Sequence, residues 1–203
     1  MNKLINYIIF KSSDLKDVGL YHGKMGIVTS LYLYAHAYKN DIIKNFAFDL
    51  LQEIYNEITK SLPWGLEYGL AGIGYGFTLL RKIEIIDDNL NDILYDIDSK
   101  IMSHDPRRIS DFSYRQGIKG LLAYINLRKG LCEGLNSLDE TYISELYIRA
   151  KKENISIPKD SFITDLLEPQ WPCNNYRDKD LGIDQGISYF IIKDAYDKLF
   201  LNK

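Results

Sequence analysis

The 203-residue chain is poor in cysteine, with two, and in proline, with five. Cys132 and Cys173 form no close-spaced pair, which excludes a disulfide scaffold and makes reduced thiols the expectation. So few prolines exclude a Pro-rich linker. Positive charge is not in excess either. Against 25 Lys+Arg stand 28 Asp+Glu, a net charge of −3, which excludes a generic nucleic-acid surface. No apolar run approaches the roughly 18 residues of a membrane span, so no membrane partner is expected. The N-terminal stretch Met1–Phe10 lacks a small-residue cleavage site, and Asn6, Tyr7 and Lys11 break its apolar character. An amphipathic first helix is therefore expected rather than a signal peptide. These absences together point to the cytoplasm.

What is present suggests one domain over residues 1–203. With 46% apolar content, a chain of this length buries roughly 70% of its unfolded surface in one core. Glycine carries the organisation. Twelve of the 14 glycines fall in four boxes: Gly19-Leu-Tyr-His-Gly23-Lys-Met-Gly26, Gly65-Leu-Glu-Tyr-Gly69-Leu-Ala-Gly72-Ile-Gly74-Tyr-Gly76, Ser113-Tyr-Arg-Gln-Gly117-Ile-Lys-Gly120, and Gly182-Ile-Asp-Gln-Gly186. The central glycines 23, 69, 117 and 186 are 46, 48 and 69 residues apart. The first two intervals suit a helical hairpin with its turns. The third reads as the same unit with an irregular insertion around 155–181, where Pro158, Pro169 and Pro172 lie.

Each box precedes a segment that is apolar on nearly every face, such as Ile27–Ala35 and Leu70–Leu80, and such helices are buried all round. Between them lie amphipathic stripes, Ala47-Leu50-Leu51-Ile54-Ile58 and Leu90-Ile93-Leu94-Ile97-Ile101. Buried inner helices alternating with half-exposed outer ones predict an all-α chain, an α/α toroid-like arc of about four helical hairpins, in effect a partial α/α barrel. Glycine at inner-helix starts lets neighbouring backbones approach, and it also leaves room for a ligand at the inner rim.

The boxes resemble a known family. Gly69-Leu-Ala-Gly72-Ile73-Gly74 is similar to the repeat of lanthionine synthetase C-like proteins, and His22-Gly23-Lys-Met-Gly26 looks like a related box of that family. Asp105-Pro-Arg-Arg108 leading to Gly117-Ile-Lys-Gly120 resembles its shorter bacterial members. The resemblance covers most of residues 17–200 and implies an α/α toroid that binds or modifies peptides. In cyclase members, two Cys and one His, with a Cys-His adjacency, hold a zinc that activates a substrate thiol. This chain departs from that pattern. Glu133 follows Cys132, Asn174 follows Cys173, and His22, His36 and His104 are scattered. On one shared helix His22 and His36 would stand about 21 Å apart, too far for one ion. No metal and no cofactor is therefore expected. The resemblance also implies a ring of roughly seven hairpins, of which this length holds four. A half-ring follows, which a second copy or a partner would complete.

Aligned boxes place equivalent polar residues together. Two before the central glycine stand Tyr21, Glu67, Arg115 and Asp184; one before it stand His22, Tyr68, Gln116 and Gln185. Acids there favour a helix N-terminus, and the amides satisfy loop backbone. As a binding rim, the same residues offer Arg115 to a carboxylate and tyrosines as aromatic surface. His22 is the acid/base candidate, and Glu67 with Asp184 forms a possible carboxylate pair. Asp87-Asp88 reads as a helix cap and Arg107-Arg108 as a solvated turn. Two functions follow. One is a non-catalytic peptide- or partner-binding accessory protein of peptide modification. The alternative is a metal-free, glycosidase-like hydrolase or a divergent lanthionine cyclase.

Overall fold

The computed structural model describes residues 1–58, 62–86, 91–131, 137–156, 166, 180–184 and 186–201. The described residues form eight α-helices and no strand. They are α1 (Asn2–Ser12), α2 (Lys24–Tyr38), α3 (Asp41–Glu57), α4 (Leu70–Lys82), α5 (Asn91–Met102), α6 (Ile118–Lys129), α7 (Glu140–Lys152) and α8 (Ile187–Tyr196). A 3-10 turn, Pro106–Arg108, precedes α6, and a π-helical turn, Asp197–Leu201, follows α8. The insertion around 155–181 and the Asp87-Asp88 cap lie mostly or wholly outside the described residues, as do Cys132 and Cys173. Length alone suggests one domain; the backbone contacts group the chain into two compact units. The first joins Met1–Ile58 with Ile163–Lys203, and the second is Thr59–Phe162.

In the first unit, α2 is buried from Lys24 to Ala35, as its all-round apolarity requires, and packs on α3 and α8. The amphipathic α3 buries Ile43, Ala47, Leu50, Leu51 and Ile54. Asn40 starts it, accepting a hydrogen bond from the Ile43 N–H at 3.1 Å. Lys24 is charged yet buried. Its Nζ donates to Glu53 and Glu57 of α3, both at 2.9 Å. Burial alone would lower its pKa, but those two carboxylates outweigh burial and raise it.

In the second unit, α4 is buried from Leu70 to Leu80 and packs on α5 and α6. A Cβ on Gly74 would lie 2.7 Å from the Tyr124 ring, so this glycine lets α6 approach α4. The buried face of α5 carries Leu94, Ile97 and Ile101, and also Asp98, which is fully buried. The Tyr124 hydroxyl donates to Asp98 Oδ1, while Ser137 Oγ and Arg128 Nε donate to Oδ2 at 2.7 and 3.3 Å. Every member of this cluster is buried, so the charge is compensated on the spot. It ties α5 to α6 and to the segment before α7. Asp139 caps α7 through the Tyr142 N–H at 2.7 Å.

Candidate binding site at the glycine boxes

All four central glycines occupy the residue before a helix, in nearly the same extended conformation (φ between −105° and −120°). The next residue in each box donates its N–H to the carbonyl six positions before the glycine. The bonds are Lys24 to Asp17 at 2.8 Å, Leu70 to Pro63 at 2.8 Å, Ile118 to Asp111 at 3.0 Å and Ile187 to Asp180 at 2.9 Å. Each loop thereby folds back onto its own helix start and satisfies a donor that a helix ordinarily leaves open. This closure explains the glycines. A Cβ at Gly23, Gly69, Gly117 or Gly186 would meet backbone atoms of its own loop at 2.1 to 2.5 Å. Close approach of a neighbouring helix is therefore not what these four positions require.

Three loops are braced further by an aspartate. Asp17, Asp111 and Asp180 accept the N–H two residues on, from Gly19, Ser113 and Gly182, at 2.7, 2.7 and 2.9 Å. Pro63 takes that place in the second box and pre-sets the turn by its ring. This aspartate column, six before the glycine, is readable in the sequence as Asp-x-(Gly/Ser)-x-x-x-Gly, yet attention to the glycines alone passes over it.

The boxes then pair, first with fourth in one unit and second with third in the other. Glu67 N–H donates to Arg115 O at 2.9 Å, and Asp184 N–H donates to Tyr21 O at 3.3 Å. Gly65 lies against Gln116, and Gly182 against Tyr21 and His22. Leu66 packs where Gly120 has no Cβ, and Ile183 where Gly26 has none. At Gly65 and Gly182 the tightest neighbour is thus another box, whereas a Cβ at Gly26 or Gly120 would first meet Leu20 O or Tyr114 O of its own loop, at 2.2 and 1.9 Å.

The side chains differ between the pairs. In the second unit Glu67, Arg115 and Gln116 come together. Arg115 Nη1 donates to Glu67 Oε1 at 2.7 Å and Gln116 Nε2 donates to Oε2 at 3.0 Å. Glu67 is buried, and the trio holds the box pair closed. Tyr68 points outward, 41% exposed. In the first unit, His22 occupies the Gln116 position and Asp184 the Glu67 position. The His22 ring stands 3.8 Å from both Asp184 and Asp180, with side chains 25%, 22% and 28% exposed. Tyr21 is buried. His22 precedes α2 rather than sharing it with His36. Gln185 lies outside the described residues. Glu67 and Asp184 belong to different units, each against its own box partner.

Beside the second and third boxes opens a cleft of about 460 Å³, lined by Trp64, Ser103, His104, Asp105, Arg108 and Asp111, among others. Trp64 and Asp111 come from the two box loops, and His104 from just past the end of α5. The Arg107-Arg108 turn is solvated, with both side chains exposed, and Asp105 also engages it. Arg107 donates through N, Nε and Nη2 to Asp105 at 3.0, 2.9 and 3.0 Å, which holds the Asp105 carboxyl below its usual range. Among the described residues no group of three His, Cys, Asp or Glu could hold a metal ion, and no helix is long and apolar enough to cross a membrane. A scan against protein-family models finds no match, and searches of curated proteins and of solved structures find no significant match.

Proposed function

We propose that the chain is a lanthionine synthetase C-like protein, an open α/α toroid arc, that binds a peptide or a partner protein in the bacterial cytoplasm and does not itself perform zinc-dependent cyclisation. One observation carries this reading. Glu67, Arg115 and Gln116 of the second and third boxes are engaged with one another, and Trp64 and Asp111 of the same two loops line a cleft with mixed polar and aromatic walls. A recognition surface on a rigid scaffold needs that arrangement. The absence of a Cys-His adjacency in the sequence supports a role without zinc.

The hydrolase alternative requires Glu67 as an acid or base. Its carboxylate is held by Arg115 and Gln116, which weighs against it. The test is calorimetric titration with unstructured peptides, with and without zinc. Saturable binding that ignores zinc supports the reading. Stoichiometric zinc together with thioether formation on a dehydrated, cysteine-containing peptide would overturn it.

A further inference from the structure

Resting on that peptide-binding reading, we propose that the cleft between Trp64 and Asp111 takes an aromatic side chain together with its free α-carboxylate, as at the C-terminal residue of a peptide. The rings of Trp64 and His104 stand 6.4 Å apart between centroids and 49° apart in plane, a splayed aromatic corner. His104 Nδ1 faces the Lys100 carbonyl at 3.1 Å, which fixes the ring on the end of α5. A third ring entering that corner finds two faces at stacking or edge distance.

The carboxylate partner is Arg108. Its neighbour Arg107 is engaged with Asp105 through three donors, so the Asp105 oxygens are already occupied. Arg108 reaches Asp105 only at 3.8 Å and is 88% exposed. Its guanidinium fork is the cation of the cleft wall with donors open to a carboxylate. Opposite in sign stands Asp111, exposed, with Oδ1 committed to the Ser113 N–H and Oδ2 left for a ligand N–H. A volume of about 460 Å³ holds one large residue and its backbone but no packed helix. A free aromatic amino acid carries the same chemistry as a peptide end, and the probes below separate the two.

The chain has two tryptophans, so W171F leaves Trp64 emission as the reporter at the cleft. The probes are Ac-Gly-Gly-Phe, its C-terminal amide, Ac-Gly-Gly-Ala, and free phenylalanine. The acid should shift Trp64 emission saturably, with the amide and the alanine peptide each about tenfold weaker. R108A should abolish the acid-over-amide preference while leaving the helical circular dichroism unchanged, and R108K should restore it in part. Tighter binding of the tripeptide than of phenylalanine identifies a peptide end, and equal binding identifies the free amino acid. Acid and amide binding within twofold of each other, or an R108A protein that keeps the preference, would overturn the proposal. If end-blocked peptides with an internal phenylalanine bind equally well, the carboxylate proposal falls and the peptide-binding reading stands. If no peptide binds at all, both fall.

Discussion

Replacing Gly117 by alanine tests the box closure at a position where all three nearest atoms belong to the loop backbone. An added Cβ would lie 2.4 Å from Asp111 O, and 2.5 Å from Asp111 C and Ser113 N. All three are backbone atoms of the same loop, so no side chain can rotate away. Restoring ordinary contact needs a shift of roughly 1 Å, and overpacking of this kind costs about 1–3 kcal/mol. That shift also breaks the bond from Ile118 N–H to Asp111 O, a further loss of roughly 0.5–1.5 kcal/mol. The total is about 2–4 kcal/mol. At a urea slope of about 2 kcal/mol per molar, Cm should fall by about 1–2 M. Gly130 supplies the internal control. It ends α6 at φ −68°, ψ −10°, and a Cβ there would find its nearest neighbour at an ordinary 3.4 Å. G130A should be neutral or stabilising by up to about 1 kcal/mol. Both variants are read by Trp64 emission in the W171F background, which reports on the unit that contains them. If G117A and G130A unfold within about 0.5 kcal/mol of each other, given the usual scatter of such measurements, the closure does not hold the loop.

Asp98→Ala should destabilise the second unit by about 3–5 kcal/mol, because it strands the buried Arg128 guanidinium without its carboxylate. The D98N/R128M pair should recover most of that loss in the same urea titration, and a cost for D98A below about 1 kcal/mol would contradict the assignment. The Tyr38 hydroxyl donates to Asp194 Oδ2 at 2.7 Å, and this bond, with smaller help from burial, pushes its pKa up to about 12. The phenol is the neutral form, so the contact stabilises the fold below the ordinary tyrosine value of about 10 and is lost as pH rises through the folded value. A 295 nm titration, differenced against Y38F, should show that late midpoint, and D194A should return it toward about 10.

The helices are legible in the sequence because burial on every face and burial on one face leave different patterns. Ile27, Val28, Leu31, Leu33 and Ala35 leave α2 no polar face to expose, whereas Glu53 and Asn56 mark the outer side of α3. The positions of the boxes are equally plain. Their pairing is not, since first with fourth and second with third is set by backbone bonds between residues such as Asp184 and Tyr21, far apart in the chain. Asp98 is hidden by its company. It shares a stripe with Leu94, Ile97 and Ile101, and only Tyr124, Ser137 and Arg128, on other segments, turn that place into a polar one. The cleft is hidden for a similar reason: Trp64, His104 and Arg108 stand outside the box columns, and tertiary folding alone brings them together.

Amide hydrogen exchange tests the repeated box geometry most directly. The first N–H of a helix ordinarily has no acceptor and exchanges freely. Here Lys24, Leu70, Ile118 and Ile187 all donate to the carbonyl six before their glycine. All four should exchange slowly, whereas Asp41 and Glu140, at the same position of the conventionally capped α3 and α7, should exchange fast. Four fast amides, or a set in which one box differs from the rest, would contradict the account.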